Sequence, residues 1–387
     1  MHDRPGLSVS SQGARSLGAM ERTLTTAPRV RALAFYLPQF HPVPENDNWW
    51  GTGFTEWRNV ARAKRLYPGH HQPHLPGELG FYDLRLPETR SAQAQLAYDH
   101  GIAGFVYYHY WFSGRRILER PFNEVLASGE PDFPFCLAWA NENWTRIWDG
   151  GPRDVLLRQS YSDADDLEHI RSLLPAFADD RYIRWQGRPV FLVYRSSSLP
   201  DSRRTTDLWR QEVIRAGLPE PYLLRVESSP EDEGAPLALG FDAAVEFQPR
   251  AWDLPPRTLA LRVGARTTGR RGIFSHMVRE YGRVADWAMS REGPTYTRWP
   301  GVTPMWDNTA RKRRDGLVLR DSSPEAYGRW LANAVEQARA MAVRNSADEG
   351  LVFVNAWNEW AEGNHLEPDR KHGRAYLDVT RAVMEAS

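Results

Sequence analysis

Eight short apolar runs, most of them followed by polar or aromatic residues and then by a stretch of helical spacing, constrain this chain more than any other feature. They cover Val30 to Tyr36, Ala103 to Tyr108, Phe133 to Trp139, Pro189 to Tyr194, Tyr222 to Val226, Ala243 to Phe247, Thr303 to Trp306 and Leu351 to Ala356. Near-continuous apolar strands alternating with helices predict a parallel sheet covered on its outside. Eight of them favour closure, so the expected class is α/β, a (β/α)8 TIM barrel. Helices are expected at Glu88 to His100, Asp163 to Phe177, Ser202 to Ala216, Pro324 to Ala342 and Tyr376 to Met384, several with acidic starts or glycine stops. Two insertions interrupt the alternation. Trp49 to Asp83, after the first strand, reads as a long ordered loop. Arg250 to Arg298, between the sixth and seventh strands, carries Arg257, Arg262, Arg266, Arg270 and Arg271 and reads as a solvated helical excursion, with binding of a charged sugar or phosphate as the alternative.

Barrels of this kind use 387 residues as one unit, so residues 29–387 are expected to form a single domain. Residues 1–28 lack apolar periodicity and read as a disordered tail. Lys and Arg together number 49, as do Asp and Glu, which leaves no net field for a polyanion and argues against nucleic acid as a partner. Cys136 lies in an apolar run and reads as a buried thiol. No run approaches the ~18 apolar residues of a membrane span, so stable membrane insertion is not expected. With one cysteine and no segment resembling an export signal, a cytoplasmic location is expected.

Active sites of such barrels lie at the C-terminal ends of the strands. The residues predicted there are unusually uniform in character. Tyr36 and Gln39 close the first strand, with Trp50, Glu56 and Trp57 further on. His109, Tyr110 and Trp111 follow the second, and Asn141, Glu142, Asn143 and Trp144 the third. Tyr194, Glu227, Glu246 and Gln248, then Trp306, Asp307 and Asn308, and finally Trp357, Asn358, Glu359 and Glu362, complete the set. Carboxylates and amides beside aromatic plates are what a saccharide needs, because sugar rings stack through C–H faces while their hydroxyls require hydrogen bonds. The 16 Trp and 15 Tyr fit that reading, although bulky core packing explains composition equally well.

Glu359 and Glu362 are three apart, so a helical turn projects both carboxylates to one side. Two acids facing one pocket repel, which raises one proton affinity and leaves the other group ionised, the requirement for cleaving a glycosidic bond. The run Trp357-Asn358-Glu359-Trp360-Ala361-Glu362-Gly363, followed by Leu366-Glu367-Pro368, resembles the segment that carries the catalytic pair of glycoside hydrolase family 99, the endo-α-mannosidases. Phe35 to Pro42, Trp49 to Trp57, Tyr107 to Trp111 and Trp139 to Trp144 look still more like the WbsX-type proteins of O-antigen clusters, and the resemblance spans Arg31 to Asp378. It implies a (β/α)8 barrel without metal or nucleotide requirement, acting on an oligosaccharide or polysaccharide. It also implies that Glu359 is a general base toward the sugar 2-hydroxyl and Glu362 a general acid and then base, with Asn358 as the motif asparagine. Trp49 to Trp57 and Asn141 to Trp144 have no counterpart in family 99, and WbsX-type proteins are conventionally labelled glycosyltransferases.

Other readings follow from other residues. A transglycosidase would use the same carboxylates. Asp163-Ala164-Asp165 has the spelling of a sugar-nucleotide metal motif but opens an expected helix, where acidic residues stabilise the N-terminal dipole. Asn141-Glu142 is similar to the acid/base pair of many retaining barrel glycosidases, which makes Glu142 a second candidate acid after its reading as a sugar ligand. A saccharide-binding barrel without catalysis is the third class, and two repelling acids argue against it. His70, His71 and His74 form the nearest approach to a metal cluster, in a loop whose histidines are expected to hydrogen-bond, so neither metal nor cofactor is expected.

Overall fold

A computed structural model describes residues 27–145, 155–258, 275–312 and 314–387. Arg262, Arg266, Arg270 and Arg271, and residues 1–26 of the expected tail, lie outside them. Seven parallel strands are continuous: β1 (Arg29–Tyr36), β2 (Ile102–Phe112), β3 (Phe135–Trp139), β4 (Arg188–Val193), β5 (Tyr222–Glu227), β6 (Ala243–Glu246) and β8 (Glu349–Val354). The remaining strand, β7, is interrupted. Its first half, Arg298–Trp299, pairs with β6, and its second half, Gly301–Val302, pairs with β8. Because β8 also pairs with β1, the ring of parallel strands closes and the TIM barrel expected from the sequence is realised.

The seventh strand was expected at Thr303 to Trp306 and lies at 298–302 instead. Pro300 cannot donate to a ladder, which hides the strand from a pattern search. The closure also needs glycine at 301, where a Cβ would fall 1.9 Å from the Glu246 carbonyl oxygen. Trp306–Asp307 belongs to a flap, pairing antiparallel with Leu317–Arg320, which in turn pairs parallel with Met277–Glu280.

The expected helices appear within two residues of their predicted ends: Pro87–Asp99, Asp163–Ala178, Ser202–Arg215, Pro324–Arg344 and Ala375–Glu385. Their starts have local causes. Ser162, Asp201 and Ser323 each accept a backbone N–H of the first turn, and Pro87 and Pro324 occupy first-turn positions where no N–H is missed. Helices at Pro44–Trp50, Trp57–Arg62, Arg120–Ser128 and Tyr281–Met289 were not individually foreseen, the second inside the Trp49 to Asp83 stretch expected as a loop and the last inside the Arg250 to Arg298 excursion. Inside the barrel, Phe35 packs against Tyr108, Phe247 and Phe353 with ring centroids 5.4–6.0 Å apart, plugging the axis below the mouth. Each such buried side chain contributes roughly 1.5–3 kcal/mol, so the plug is a rigid floor. Cys136 is buried in β3 and burial pushes its thiol up, as expected for an inert core residue. No helix among the described residues is long and apolar enough to cross a membrane.

Candidate active site

Above the aromatic plug the strand ends open into a cavity of about 940 Å³. Its floor carries four ionisable side chains in one contacting group. Arg311 reaches Glu56 at 3.0 Å and Glu359 at 3.2 Å through Nη2, and Glu362 at 2.9 Å through Nη1. Glu359 is 9% exposed and Glu362 14%, so both are largely removed from water.

Each member is positioned by its own segment. After β8, Asn358–Glu359 pairs antiparallel with Asn364–His365, and the turn Trp360–Glu362 between them brings Glu362 back beside Glu359. Gly363 ends that turn at φ 53°, with a hypothetical Cβ 3.0 Å from the Asp307 backbone, so glycine permits both the turn and its contact with the flap. Asn358 fixes the segment to β1, accepting from the Leu37 N–H at 2.7 Å and donating to the Leu37 carbonyl at 3.1 Å. Glu56 precedes the helix Trp57–Arg62, with its N–H on the Gln39 carbonyl. Arg311 closes a turn over Asn308–Ala310, itself capped by Asp307.

Burial dominates the proton affinities. It pushes Glu359 up to about 8, with Arg311 opposing and Glu362 adding to the rise. Glu362 is also raised by burial, while Arg311 and Lys312 oppose. Around Arg311, burial disfavours charge, but Glu56, Glu362 and Glu359 together hold its affinity above the usual guanidinium range. Tyr108, Tyr110 and Tyr194 border the same cavity, and burial raises all three hydroxyls, which therefore stay protonated donors.

Of the residues singled out from sequence, Gln39, Trp50, Glu56, Tyr110, Asn141, Glu142, Asn143, Trp144, Tyr194, Trp306, Asn308, Glu359 and Glu362 line this cavity. Glu142 lies at its more open side, 40% exposed and 2.7 Å from Arg195. Asn141 is fully buried, its amide clamping the Arg195 backbone from both ends at 2.7 and 2.8 Å. Asn143 accepts the Gln159 N–H.

The others lie off the cavity wall, and for those on barrel strands the reason is the two-residue period of a strand. On β2, Tyr108 and Tyr110 face the cavity, while His109 and Trp111 face the helix Asp163–Ala178. There His109 bonds His169 at 3.0 Å, and Trp111 donates to Asp165 at 2.9 Å. Tyr36 likewise points outward, its hydroxyl on Gln93. Glu246 faces Arg298 and Arg250. Trp57 donates to the Tyr82 carbonyl, Trp357 packs on Phe105, and Asp307 bonds His70 at 2.7 Å. Asp163 and Asp165 are occupied at the helix start, bonding Arg204 and Trp111.

Among the lining residues not anticipated, three matter most to the site. Arg311 follows no strand directly and sits on the flap, so no periodic signal marked it. Arg195 directly follows Tyr194, and Tyr108 is a strand residue whose inward parity is readable only once Phe35 and Phe247 are known to be its neighbours.

Together these observations define a closed parallel barrel of glycoside hydrolase-like fold, with buried carboxyls at the C-terminal mouth. The sequence matches the glycosyltransferase WbsX family over residues 32–380, and the chain belongs to that family. It is 44% identical over 352 residues to uncharacterized protein WxcX of Xanthomonas campestris pv. campestris, in two strains. That alignment covers 91% of this chain and 49% of the relative, so the chain spans about half the length of the curated relatives it matches. Among solved structures, a glycoside hydrolase-like protein superposes with TM-score 0.56 at 16% identity, covering 93% of this chain and 95% of the other. The GH99 endo-α-mannosidase of Bacteroides thetaiotaomicron superposes with TM-score 0.53 at 14% identity, covering 92% and 97%. These likenesses bear on the fold, and they agree with a carbohydrate-active enzyme family.

Proposed function

We propose that this chain cleaves glycosidic bonds of an oligosaccharide or polysaccharide, with Glu359 and Glu362 as the reacting carboxyls. The observation that carries the reading is the shared guanidinium: two glutamates held within 3.2 Å of Arg311, on the floor of an aromatic-walled cavity. Burial raises the proton affinity of both carboxyls and pushes Glu359 up to about 8, so in the ligand-free site Glu359 holds a proton at neutral pH. Such a pair supplies a proton to the departing sugar oxygen and accepts one from the attacking hydroxyl. Arg311 and Glu56 fix the two carboxyls in place, and the Tyr and Trp walls exclude water. The division implied by family 99, with Glu359 as base, requires that proton to leave Glu359 when substrate binds. Sugar ligands on this reading are Gln39, Trp50, Asn143, Trp144, Trp306 and Glu142, beside Tyr110 and Tyr194.

The test is a panel of α- and β-linked glycosides and bacterial polysaccharide oligomers, with Glu359→Gln and Glu362→Gln as controls. Each variant should lower kcat by ~10²–10⁴. Full activity in both would remove the assignment.

A second reading is favoured by the family's description as a glycosyltransferase. Transfer to a sugar hydroxyl uses the same two carboxyls, with the acceptor in place of water. Product analysis with and without added saccharide acceptor separates the two: free reducing sugar signals hydrolysis, and an elongated glycan signals transfer.

A further inference from the structure

The loop histidines, expected only to hydrogen-bond, are divided by the fold. His70 bonds Asp307, but His74 crosses to a different partner set, His365 and Asp369, at the far end of the segment that carries Glu359 and Glu362. All three are buried, with exposures of 6%, 1% and 4%, and one ligand atom of each lies within 4.8 Å of the others. His74 Nδ1 and His365 Nε2 are 3.2 Å apart, and His365 Nε2 and Asp369 Oδ2 3.9 Å. Two nitrogens bound to one tetrahedral ion at ~2.0–2.1 Å stand about 3.3 Å from each other.

The tautomer of His365 sharpens this. Its Nδ1 lies 3.0 Å from the Glu367 carbonyl, which can only accept, so Nδ1 carries the hydrogen and a neutral ring leaves its Nε2 lone pair turned toward His74 and Asp369. A backbone carbonyl behind a histidine is how metal-binding imidazoles are oriented. Asp369 gives a second, independent sign. Its Oδ1 accepts the N–H groups of Lys371 and His372, whereas its Oδ2 is buried without a hydrogen-bond donor among the described residues. A hydrogen bond between the two rings satisfies one nitrogen pair and leaves that oxygen unsatisfied, which is costly for a buried carboxylate. A cation satisfies all three atoms together.

We propose that His74, His365 and Asp369 form a site for one divalent transition ion of the zinc class, stapling the 68–76 loop to the segment bearing Glu359 and Glu362. Two imidazoles and one carboxylate suit zinc better than magnesium or calcium, which prefer all-oxygen shells. The staple is well placed: His365 stacks on Trp360 at 3.7 Å, and Asn364–His365 is the strand paired with Asn358–Glu359. Backbone contacts reinforce the same junction, with Gly77 donating to Pro368 and Arg370 to Leu75. The ion has no part in bond cleavage on the reading proposed above, so the two stand or fall separately.

The test uses the full chain, stripped with chelator and dialysed against metal-free buffer. Zinc titration followed by calorimetry should give about one equivalent, and Tm should rise by ~3 °C at a hundredfold excess over Kd. Cobalt(II) in place of zinc should give the visible absorption of a four-coordinate site. Asp369→Asn, which keeps the shape, should weaken binding at least ~10-fold, as should His365→Gln. If a variant does not fold, the zinc and cobalt titrations of the unaltered chain decide alone. No saturable binding with an unchanged Tm would overturn the proposal, and so would one equivalent bound equally well by Asp369→Asn.

Discussion

Replacing Arg311 by Met tests the core of the site, because it deletes the one guanidinium that holds three buried carboxyls while keeping most of the side-chain volume. Arg311 is 5% exposed and its partners are 5%, 9% and 14% exposed, so solvent does little to screen what is lost. Breaking a buried ion pair costs roughly 3–5 kcal/mol, because the partner charge is left uncompensated. The three contacts share one cation and do not add. The remaining carboxyls have an escape, however: they can bind protons. At pH 5 Glu359 and Glu362, whose affinities burial raises, take up protons, and the loss should shrink to that of missing hydrogen bonds, about 1–2 kcal/mol. For a chain of this size 1 kcal/mol shifts Tm by about 1–2 °C. Thermal melts should therefore place Arg311→Met ~4–7 °C below the unaltered protein at pH 8 and only ~1–3 °C below it at pH 5. An equal loss at both pH values would refute the charge argument and leave Arg311 as a packing residue.

Three other predictions concern separate links. Glu359 has its folded proton affinity raised from the ordinary 4.5 to about 8, so its contribution to stability is present below pH 4.5 and fades as pH rises toward 8. Glu359→Gln, which cannot ionise, should be more stable than the parent at pH 8.5 and lose that advantage by pH 5, as read by denaturant midpoints; no crossover would contradict the burial of that carboxyl. Gly301→Ala, with its Cβ 1.9 Å from the Glu246 carbonyl, should cost more than ~4 kcal/mol and abolish soluble expression at 37 °C, whereas a variant with unchanged Tm would show that β7 has room to shift. Trp50→Ala removes an aromatic wall of the cavity and should raise KM about 3- to 10-fold with kcat little changed, a pattern that loss of folded protein cannot imitate.

The fold was largely legible because the strands are buried on both faces and so apolar almost without interruption, as in β1 and β3. Helix ends were legible where a cap residue stood at the boundary, as at Ser162 and Ser323. What failed was parity. A largely apolar strand such as Ile102–Phe112 carries no clear alternation, so sequence could not say that Tyr108 and Tyr110 turn inward and that His109 and Trp111 turn out. The same ambiguity misplaced Tyr36 on β1. Glu359 and Glu362 escaped it because they lie beyond the strand, in a turn whose three-residue spacing and closing glycine are visible in the sequence. Arg311, His365 and Asp369 depend on contacts between segments far apart in the chain, which a single sequence does not display.

The charge around the cavity bears on what kind of donor the proposed reaction can use. Glu56, Glu142, Glu359 and Glu362 line it against Arg195, Arg311 and Lys312, so with the proton on Glu359 the formal charges of these lining residues balance. Two of the cations are already engaged: Arg311 by three carboxyls, and Arg195 by Glu142 at 2.7 Å and Asp232 at 3.4 Å. A nucleotide diphosphate brings two or more negative charges and would have to displace those carboxylates to be neutralised, at a cost that rises with burial. A neutral glycan meets no such opposition and gains from the aromatic walls. If the chain transfers sugar at all, its donor is therefore expected to be another glycan, with the family's transferase description fulfilled by transglycosylation. Saturation-transfer NMR on this chain should show contacts from neutral oligosaccharides and none from sugar nucleotides competing for the same cavity. A sugar nucleotide that binds there, that added neutral glycan does not displace and whose binding Trp50→Ala does not weaken would contradict the charge count and return the site to a nucleotide-dependent transferase.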